Sequence, residues 1–181
     1  TGAKISIFTW LTINLGNYPE LMEKMRRAGF SILFIGIESV NQNSLLETAK
    51  VQNSQDLETA VDTIQSYGFI IAPGFIFGFD SDTETIFEDT LEVLCRTGII
   101  GGDPSFLTAL PGTPLIARMK RQGRLIDDGE EATVRAKITT NIRYIQDANF
   151  LVDGFRKFIS AYTKADYQLE RFRIHVENIV K

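Results

Sequence analysis

Cysteine, histidine and tryptophan each occur only once among the 181 residues of the chain. The single cysteine, Cys95, excludes an internal disulfide and any metal site built from several thiolates of this chain. The longest apolar run, residues 70–79, is too short to cross a bilayer and contains proline and glycine. No basic start followed by a cleavable apolar core opens the sequence, so we expect a cytoplasmic protein without membrane attachment.

The chain also lacks an excess of charge of either sign, with 19 basic and 23 acidic residues and a net charge of −4. Proteins that bind the nucleic-acid backbone normally carry a basic face, so we expect no nucleic-acid partner. The densest basic stretch, Lys120, Arg121 and Arg124, is typical of a solvated helix end. The hydrophobic share of 44% is sufficient for one well-formed core.

Strand-like and helical segments alternate along the first 124 residues. The predicted strands cover residues 1–13, 31–37, 69–79 and, with an interruption, 99–110. Amphipathic patterns predict helices at residues 19–28, 41–48, 56–67, 83–96 and 113–121. Such alternation predicts an α/β fold in which a parallel sheet is wound with right-handed crossovers.

After Gly123 the pattern changes to helical stripes, one of them carrying Ile138, Ile142 and Ile145 and another centred on Phe158. We therefore divide the chain into an α/β body, residues 1–124, and a helical extension, residues 125–181. The sequence begins with threonine rather than methionine, and we expect it to be a piece of a longer protein.

Single residues carry further expectations about burial. Trp10 in the first strand, and Leu21, Met22, Met25 and Ala28 in the first helix, are expected to face the core. Cys95 lies among aliphatic residues of a helix and is expected to be a buried thiol. His175 has no visible partner in the sequence and is expected at the surface or at an interface.

Two glycines, Gly74 and Gly78, lie four residues apart inside a predicted strand, where glycine weakens packing. The missing side chains either let a flat ligand lie on the strand or allow a barrel bend or tight packing against a helix. The residues alone leave both interpretations open.

Acidic residues follow two strands at the edge where parallel α/β folds bind ligands. Glu38 and Ser39 offer a carboxylate and a hydroxyl to a ligand amine or ribose, although Glu38 also suits the cap of the next helix. Asp80, Asp82 and Glu84 resemble carboxylates for acid–base chemistry or magnesium. The same acidic pattern is typical of a helix start, and capping is the favoured interpretation.

Three segments occur in an order that is more informative than any one of them: LMEKMRRAGFSILFIGIES, then GFIFGFDSDTETIFEDTL, then LTALPGTPL with RQGRL. Together they resemble the later part of the catalytic barrel of radical S-adenosylmethionine (radical SAM) enzymes, in the class with a cobalamin-binding domain. The C-terminal extension of that class is similar to TTNIRYI and LVDGFRKFISAYTKADYQLERF. The resemblance covers essentially the whole chain.

The resemblance implies a partial (β/α) barrel, of which this chain supplies the third to sixth strands, with a C-terminal helical extension. In that family a Cys-x3-Cys-x2-Cys loop holds a 4Fe-4S cluster, at which SAM is bound and reductively cleaved. By this strand order, the resemblance implies that the cobalamin domain, the first two strands and the cluster loop lie before Thr1. The single cysteine, Cys95, likewise cannot supply the cluster ligands. The chain alone is then expected to be inactive, and the implied reaction of the whole protein is methyl transfer with cobalamin.

The resemblance also implies which strand ends contact SAM. The fourth-strand end contacts the ribose or methionine part, the fifth-strand G-x-I-x-G motif lies beside the adenine, and the sixth-strand end hydrogen-bonds the adenine through its backbone. The motif often carries a glutamate where this chain has Ser81, one place after Asp80. The implied cofactor-binding residues are Glu38, Ser39, Gly74, Ile76, Gly78, Asp80, Leu110, Pro111, Gly112 and Thr113.

Two other functions are compatible with the residues. A non-radical barrel lyase or hydrolase would use Glu38 and Asp80 as acid and base, and a degenerate barrel would serve as a binding or assembly module. The expected partners are a small-molecule substrate and an external electron donor. An unpaired strand edge at the start of the sheet also predicts self-association.

Overall fold

Four parallel strands form the centre of the computed structural model, which describes residues 5–47, 57–126 and 140–180. The strands are β1 (Ile7–Leu11), β2 (Phe30–Glu38), β3 (Ile70–Phe77) and β4 (Asp103–Phe106). Their order in the sheet is their order in the chain. Sequential order of parallel strands is the arrangement of a (β/α) barrel, because doubly wound sheets reverse their order. The predicted α/β fold is confirmed.

Helices follow the strands as the periodicity predicts. They are a 3₁₀ helix (Ile13–Asn17), α1 (Pro19–Ala28), α2 (Gln42–Glu47), α3 (Leu57–Ser66), α4 (Ile86–Thr97), α5 (Pro114–Arg121), α6 (Ala148–Tyr162) and α7 (Ala165–Val180). Predictions for residues 1–4, 48, 56 and 138 lie outside the described residues. Among the helices described, none combines the length and apolarity that a bilayer crossing requires.

The two faces of the sheet have different environments. Alternate residues of β2 and β3 point toward the helices and form the main core, among them Leu33, Ile35 and Phe75. On the opposite face of the sheet, Trp10 is 70% exposed, and its ring contacts that of Phe8 edge-on at 4.9 Å between centroids. The prediction that Trp10 faces the core is therefore wrong, because the strand's alternation turns it to the face opposite the packed helices.

The first helix buries a narrower stripe than predicted. Met22 and Met25 are buried, whereas Leu21 and Ala28 are exposed, so the prediction for the latter two is wrong. Adjacent residues of an α-helix differ by about 100° in direction. Because Met22 points directly at the core, Leu21 is turned to solvent.

The C-terminal helices α6 and α7 pack against α4, and α7 also packs against α3. The aromatic face of α6 is inward as predicted: the Phe158 ring lies 5.1 Å from that of Phe77 in β3. The predicted helix through Ile142 and Ile145 is wrong, because Ile142 bridges to Leu125 in an antiparallel pair and Ile145 is exposed. The division of the chain at residue 124 stays a prediction.

Helix α7 packs against the body through polar side chains. Arg171 is fully buried and donates to the carbonyls of Ile99 at 3.0 Å and Tyr162 at 2.8 Å. The Asn178 amide donates to Gln65 Oε1 at 2.7 Å. The outward face of the helix is instead apolar and exposed, and it carries Leu169, Phe172, Val176 and Ile179.

This inverted polarity explains why the expectation for His175 is wrong. The imidazole is 3% exposed, and its Nδ1 atom has no hydrogen-bond partner among the described residues. Burial lowers the pKa of His175 because it disfavours the charged form.

We expect the stability of the fold to fall as the pH drops below about 6.5, where the unfolded chain takes up a proton that folded His175 resists. His175→Leu removes this contribution, which amounts to at most about 1.4 kcal/mol per pH unit. Urea unfolding at pH 7.5 and 5.5 measures it: the wild type should lose more stability than the variant. Equal losses would contradict the assignment.

Candidate functional site at the carboxyl ends of the strands

The carboxyl end of β2 has a strained backbone. Glu38 has a φ of 69°, in the left-handed region that residues with side chains seldom adopt, and a bulge places it opposite Phe75. Strain of this kind clusters at ligand sites, which favours Glu38 as a site residue. Ser39 follows it and is buried, and its hydroxyl accepts a hydrogen bond from the Asn41 amide at 3.1 Å. The Ser39 hydroxyl thus supports its own turn.

A partly buried carboxylate, that of Asp82, shapes the turn after β3. Its Oδ2 atom accepts hydrogen bonds from the Gly78 amide at 2.8 Å and the Phe79 amide at 3.1 Å. Its Oδ1 atom accepts one from the Ser44 hydroxyl at 2.7 Å. Burial raises the pKa of Asp82, and these three hydrogen bonds oppose the rise. The favoured role as helix cap is wrong, because α4 begins only at Ile86 and Asp82 holds the turn that precedes it.

Asp80 is engaged by arginine. The Arg124 guanidinium donates to both its carboxylate oxygens, at 2.7 and 2.8 Å, and Arg118 Nη2 lies 3.7 Å from Oδ2. The hydrogen bonds from Arg124 hold the pKa of Asp80 below its usual value. Asp80 therefore neither caps α4 nor suits acid–base chemistry, and Arg124 is an ion-pair partner instead of part of a solvated helix end. Glu84 is exposed.

Side chains from the β2–α2 region hold the same turn from the other side. Glu47 Oε1 accepts a hydrogen bond from the Ser81 amide at 2.7 Å, and its Oε2 atom lies 3.2 Å from Arg118 Nη2. The side-chain Nδ2 of Asn41 donates to the Ser81 carbonyl at 2.9 Å. The turn after β3 is thereby linked to the segment after β2 through both backbone groups of Ser81.

A cavity of about 300 Å³ lies between this turn and the start of α5, a volume at the lower end of the range for small-molecule sites. Its lining is mostly apolar and consists of Glu47, Phe79, Leu107, Thr108, Leu110, Thr113, Pro114, Leu115 and Arg118. Leu110 and Thr113 are the predicted site residues that line it. The Thr113 hydroxyl donates to the Leu110 carbonyl at 2.7 Å, and Pro111 and Gly112 form the exposed turn between them.

The predicted glycine positions are closely packed. A Cβ atom on Gly74 would lie 2.9 Å from the Phe34 ring, and one on Gly78 would lie 2.7 Å from Tyr144. Gly78 also has a φ of 95°, which favours glycine. Ile76 lies between them and packs against the small apolar cluster under the cavity. Tight packing explains both glycines here, and their contact with an adenine stays a prediction.

Comparisons with known proteins identify relatives of this chain. No family model matches the chain. Over 136 residues, 74% of this chain and 26% of the relative, it is 35% identical to the hopanoid C-2 methylase of Rhodopseudomonas palustris (strain TIE-1). Over 118 residues, 65% of this chain and 26% of the relative, it is 34% identical to the bacteriochlorophyllide d C-12(1)-methyltransferase of Chlorobaculum tepidum.

Among solved structures the chain is similar to coproporphyrinogen III oxidase (HemN) from Escherichia coli, a radical SAM enzyme. The TM-score is 0.53 at 17% identity, and the match covers 88% of this chain and 32% of the oxidase. The resemblance to the radical SAM barrel is confirmed. The chain spans about a quarter of the length of the curated relatives it matches.

The extension supplies residues of this radical SAM barrel that the sequence reasoning missed. The Asn141 side chain binds both backbone groups of Ala109, at 2.9 Å from the amide and 2.8 Å to the carbonyl. The Tyr144 hydroxyl donates to the Leu107 carbonyl at 2.8 Å, and the Gln146 amide donates to the Phe79 carbonyl. These residues lie in or next to the quoted segment TTNIRYI, so its similarity to the family extension was the available signal.

Metal ligands are scarce in the described part of this radical SAM barrel, where no three histidine, cysteine, aspartate or glutamate side chains are grouped to hold an ion. Cys95 lies on α4 and is only partly buried, so its predicted full burial is wrong. A 4Fe-4S cluster needs several thiolates, and this chain has one. The residues present do not fit the cluster.

Gly78→Ala should destabilise the fold more than Gly112→Ala does. Both glycines have a positive φ, of 95° and 79°, so both substitutions cost roughly 1–2 kcal/mol in backbone strain. An added Cβ at Gly112 has no atom within 4 Å, whereas at Gly78 it must displace Tyr144. We expect an additional loss of about 1–3 kcal/mol for Gly78→Ala in urea unfolding. Equal losses would show that Tyr144 does not pack as described.

Proposed function

We propose that this chain forms the adenosine side of the SAM site in a radical SAM methyltransferase. The observation that carries this proposal is the cavity at the carboxyl ends of β3 and β4, the edge at which parallel barrels bind ligands. Its apolar walls, Leu107 and Leu115 among them, suit the faces of a purine ring. The strained Glu38 at the end of β2 supplies the carboxylate for the ribose or methionine part.

The proposal assigns the 4Fe-4S cluster to residues outside this chain, because one cysteine cannot supply its thiolates. In such enzymes SAM, when reduced by one electron, supplies a 5′-deoxyadenosyl radical. This chain's own residues bind and orient the adenosine part, and the chain alone is inactive. An external donor provides the electron, and the whole protein works in the cytoplasm.

Methyl transfer is the proposed reaction of the whole protein, with cobalamin as its second cofactor. Support comes from the names of two relatives, a hopanoid methylase and a bacteriochlorophyllide methyltransferase. The proposed substrate is a small molecule. The alternative of acid–base chemistry by Glu38 and Asp80 is disfavoured, because Arg124 occupies both carboxylate oxygens of Asp80.

Filling the cavity should weaken binding of S-adenosylhomocysteine, which carries the adenosine group. Leu110→Trp adds an indole at the cavity wall and should weaken binding by tenfold or more, measured by isothermal titration calorimetry. Leu46→Trp is the matched control, because Leu46 is 62% exposed, against 61% for Leu110, and does not line the cavity. If the wild type binds the ligand and both variants bind it equally well, the proposed location is wrong.

The open edge of β1 is the proposed surface for self-association of this chain. As the terminal strand of the sheet, β1 has unpaired backbone groups along its outer edge, which favour pairing with another chain. On the open face of the same strand, Trp10 and Phe8 are 70% and 45% exposed and add apolar surface to that contact. Sedimentation velocity should show a mass that rises with concentration, and Trp10→Lys should reduce that rise. A constant monomer mass over the whole range would contradict the expectation.

A further inference from the structure

The open face of the sheet, the side opposite the helices, carries aromatic side chains from two neighbouring strands. Trp10 in β1 and Phe34 in β2 are paired in register, so both side chains leave the sheet on this side. Trp10 is 70% exposed, and its ring contacts that of Phe8 edge-on. The Phe34 ring reaches the other way and occupies the space above Gly74 of β3, 2.9 Å from where a Cβ atom of that glycine would be. The two rings therefore diverge, and both contribute aromatic surface to the open face.

A carboxylate lies on the far side of this aromatic surface. Asp103 of β4 pairs in register with Gly74, so its side chain leaves the sheet on the open face, next to the Phe34 ring above that glycine. The Asp103 side chain is exposed. Because neighbouring strands are about 4.8 Å apart, β1 and β4 are separated by about 14 Å along the sheet, a distance that several fused rings can span. One side of the open face is therefore aromatic, and the other side carries a negative charge.

The open face leads to the cavity proposed for the adenosine group. Ile76 follows Gly74 on this side of β3 and packs against the small apolar cluster that contains Phe79 and Leu107. Both of those residues line the cavity. Contiguous exposed apolar surface often marks a binding site. A molecule on the open face would lie beside SAM in the cavity, which favours the molecule that receives the methyl group as its occupant.

We propose that the open face binds the methyl acceptor, and that this acceptor is a flat, apolar ring system that carries an amine. The inference rests on the proposed function and names its substrate class. Trp10 and Phe34 contact the ring system, because aromatic rings favour offset stacking and edge-to-face contacts. Asp103 accepts hydrogen bonds from the protonated amine, and the neighbouring Phe34 ring adds a cation–π attraction. The same carboxylate repels an acceptor that carries an acidic group in place of the amine.

Two probes that share one ring system test the proposal. 1-Naphthylmethylamine and 1-naphthoate are both flat fused rings, and they carry a protonated amine and a carboxylate respectively. Trp10 is the single tryptophan of the chain, so one indole N–H signal in a ¹⁵N-edited NMR spectrum reports contact at the open face. We expect the amine to shift that signal and to bind about tenfold more tightly than the carboxylate.

Asp103→Asn removes the charged acceptor and keeps the shape of the side chain, so it should reduce this preference to roughly threefold or less. Asp153→Asn is the matched control. It removes the same charge from an exposed position on α6, away from the open face of the sheet. The control should keep the preference of the wild type, whereas a general effect of the net charge would change both variants equally.

An indole signal that neither probe moves overturns the inference. Equal binding of the two probes by the wild type also overturns it, and this comparison needs no variant to fold. A signal that moves with protein concentration but not with either probe shows that a second copy covers the face, which overturns it too. Binding of S-adenosylhomocysteine separates the two proposals. If it binds while the probes do not, the proposed function stands without this inference, and if it does not bind, the proposed function fails.

Discussion

The strand-end region depends on the partly buried carboxylate of Asp82. Removing a charge from water is unfavourable unless hydrogen bonds replace the lost hydration, and here two backbone amides and one hydroxyl do so. The amides belong to Gly78 and Phe79, so the carboxylate sets the direction of the chain as it leaves β3. The hydroxyl belongs to Ser44, so the same group ties that turn to α2. The wall of the cavity at Phe79 follows from this geometry.

A second set of interactions, made of ion pairs, surrounds this carboxylate. Two carboxylates, Asp80 and Glu47, alternate with two guanidiniums, Arg118 and Arg124, and join α2, the turn after β3, α5 and the chain beyond it. Each side chain is partly shielded from water, which strengthens the interactions relative to surface ion pairs. The extension completes the arrangement through Asn141, whose amide substitutes for a neighbouring strand at Ala109. The body and the extension therefore build the site jointly.

The sequence was sufficient to predict the parallel fold, because periodicity and punctuation by glycine and proline are local signals. Phe158 and Met22 face inward as their spacing indicates. The sequence was insufficient to predict the roles of residues whose contacts are with partners far away in the chain. Asp82 precedes a helix and has the chemistry of a cap, and only the position of Ser44 and the Gly78 amide reveals what it binds. Arg124 looked like a solvated charge for the same reason, since Asp80 is 44 residues away.

The burial predictions for Trp10 and His175 were wrong for a different reason. Both residues are exceptions to the tendency of apolar side chains to be buried and polar ones to be exposed. A tryptophan is exposed because its face of the sheet is left open, and a histidine is buried because α7 turns its polar side inward. Single-residue tendencies cannot anticipate such inversions. The predicted contacts of Glu38, Gly74 and the residues after Leu110 with SAM concern a ligand, and their test lies in binding experiments.

The hydrogen bonds between α7 and the rest of the protein determine where that helix lies along its own axis. Apolar surfaces are non-directional, so a helix packed by leucines can slide along its groove at little cost. Arg171 and Asn178 instead meet individual acceptors at Ile99, Tyr162 and Gln65. A shift by one helical turn, about 5.4 Å, would break all of these bonds while the groups stayed buried. These directional hydrogen bonds therefore fix the position of α7 along its own axis.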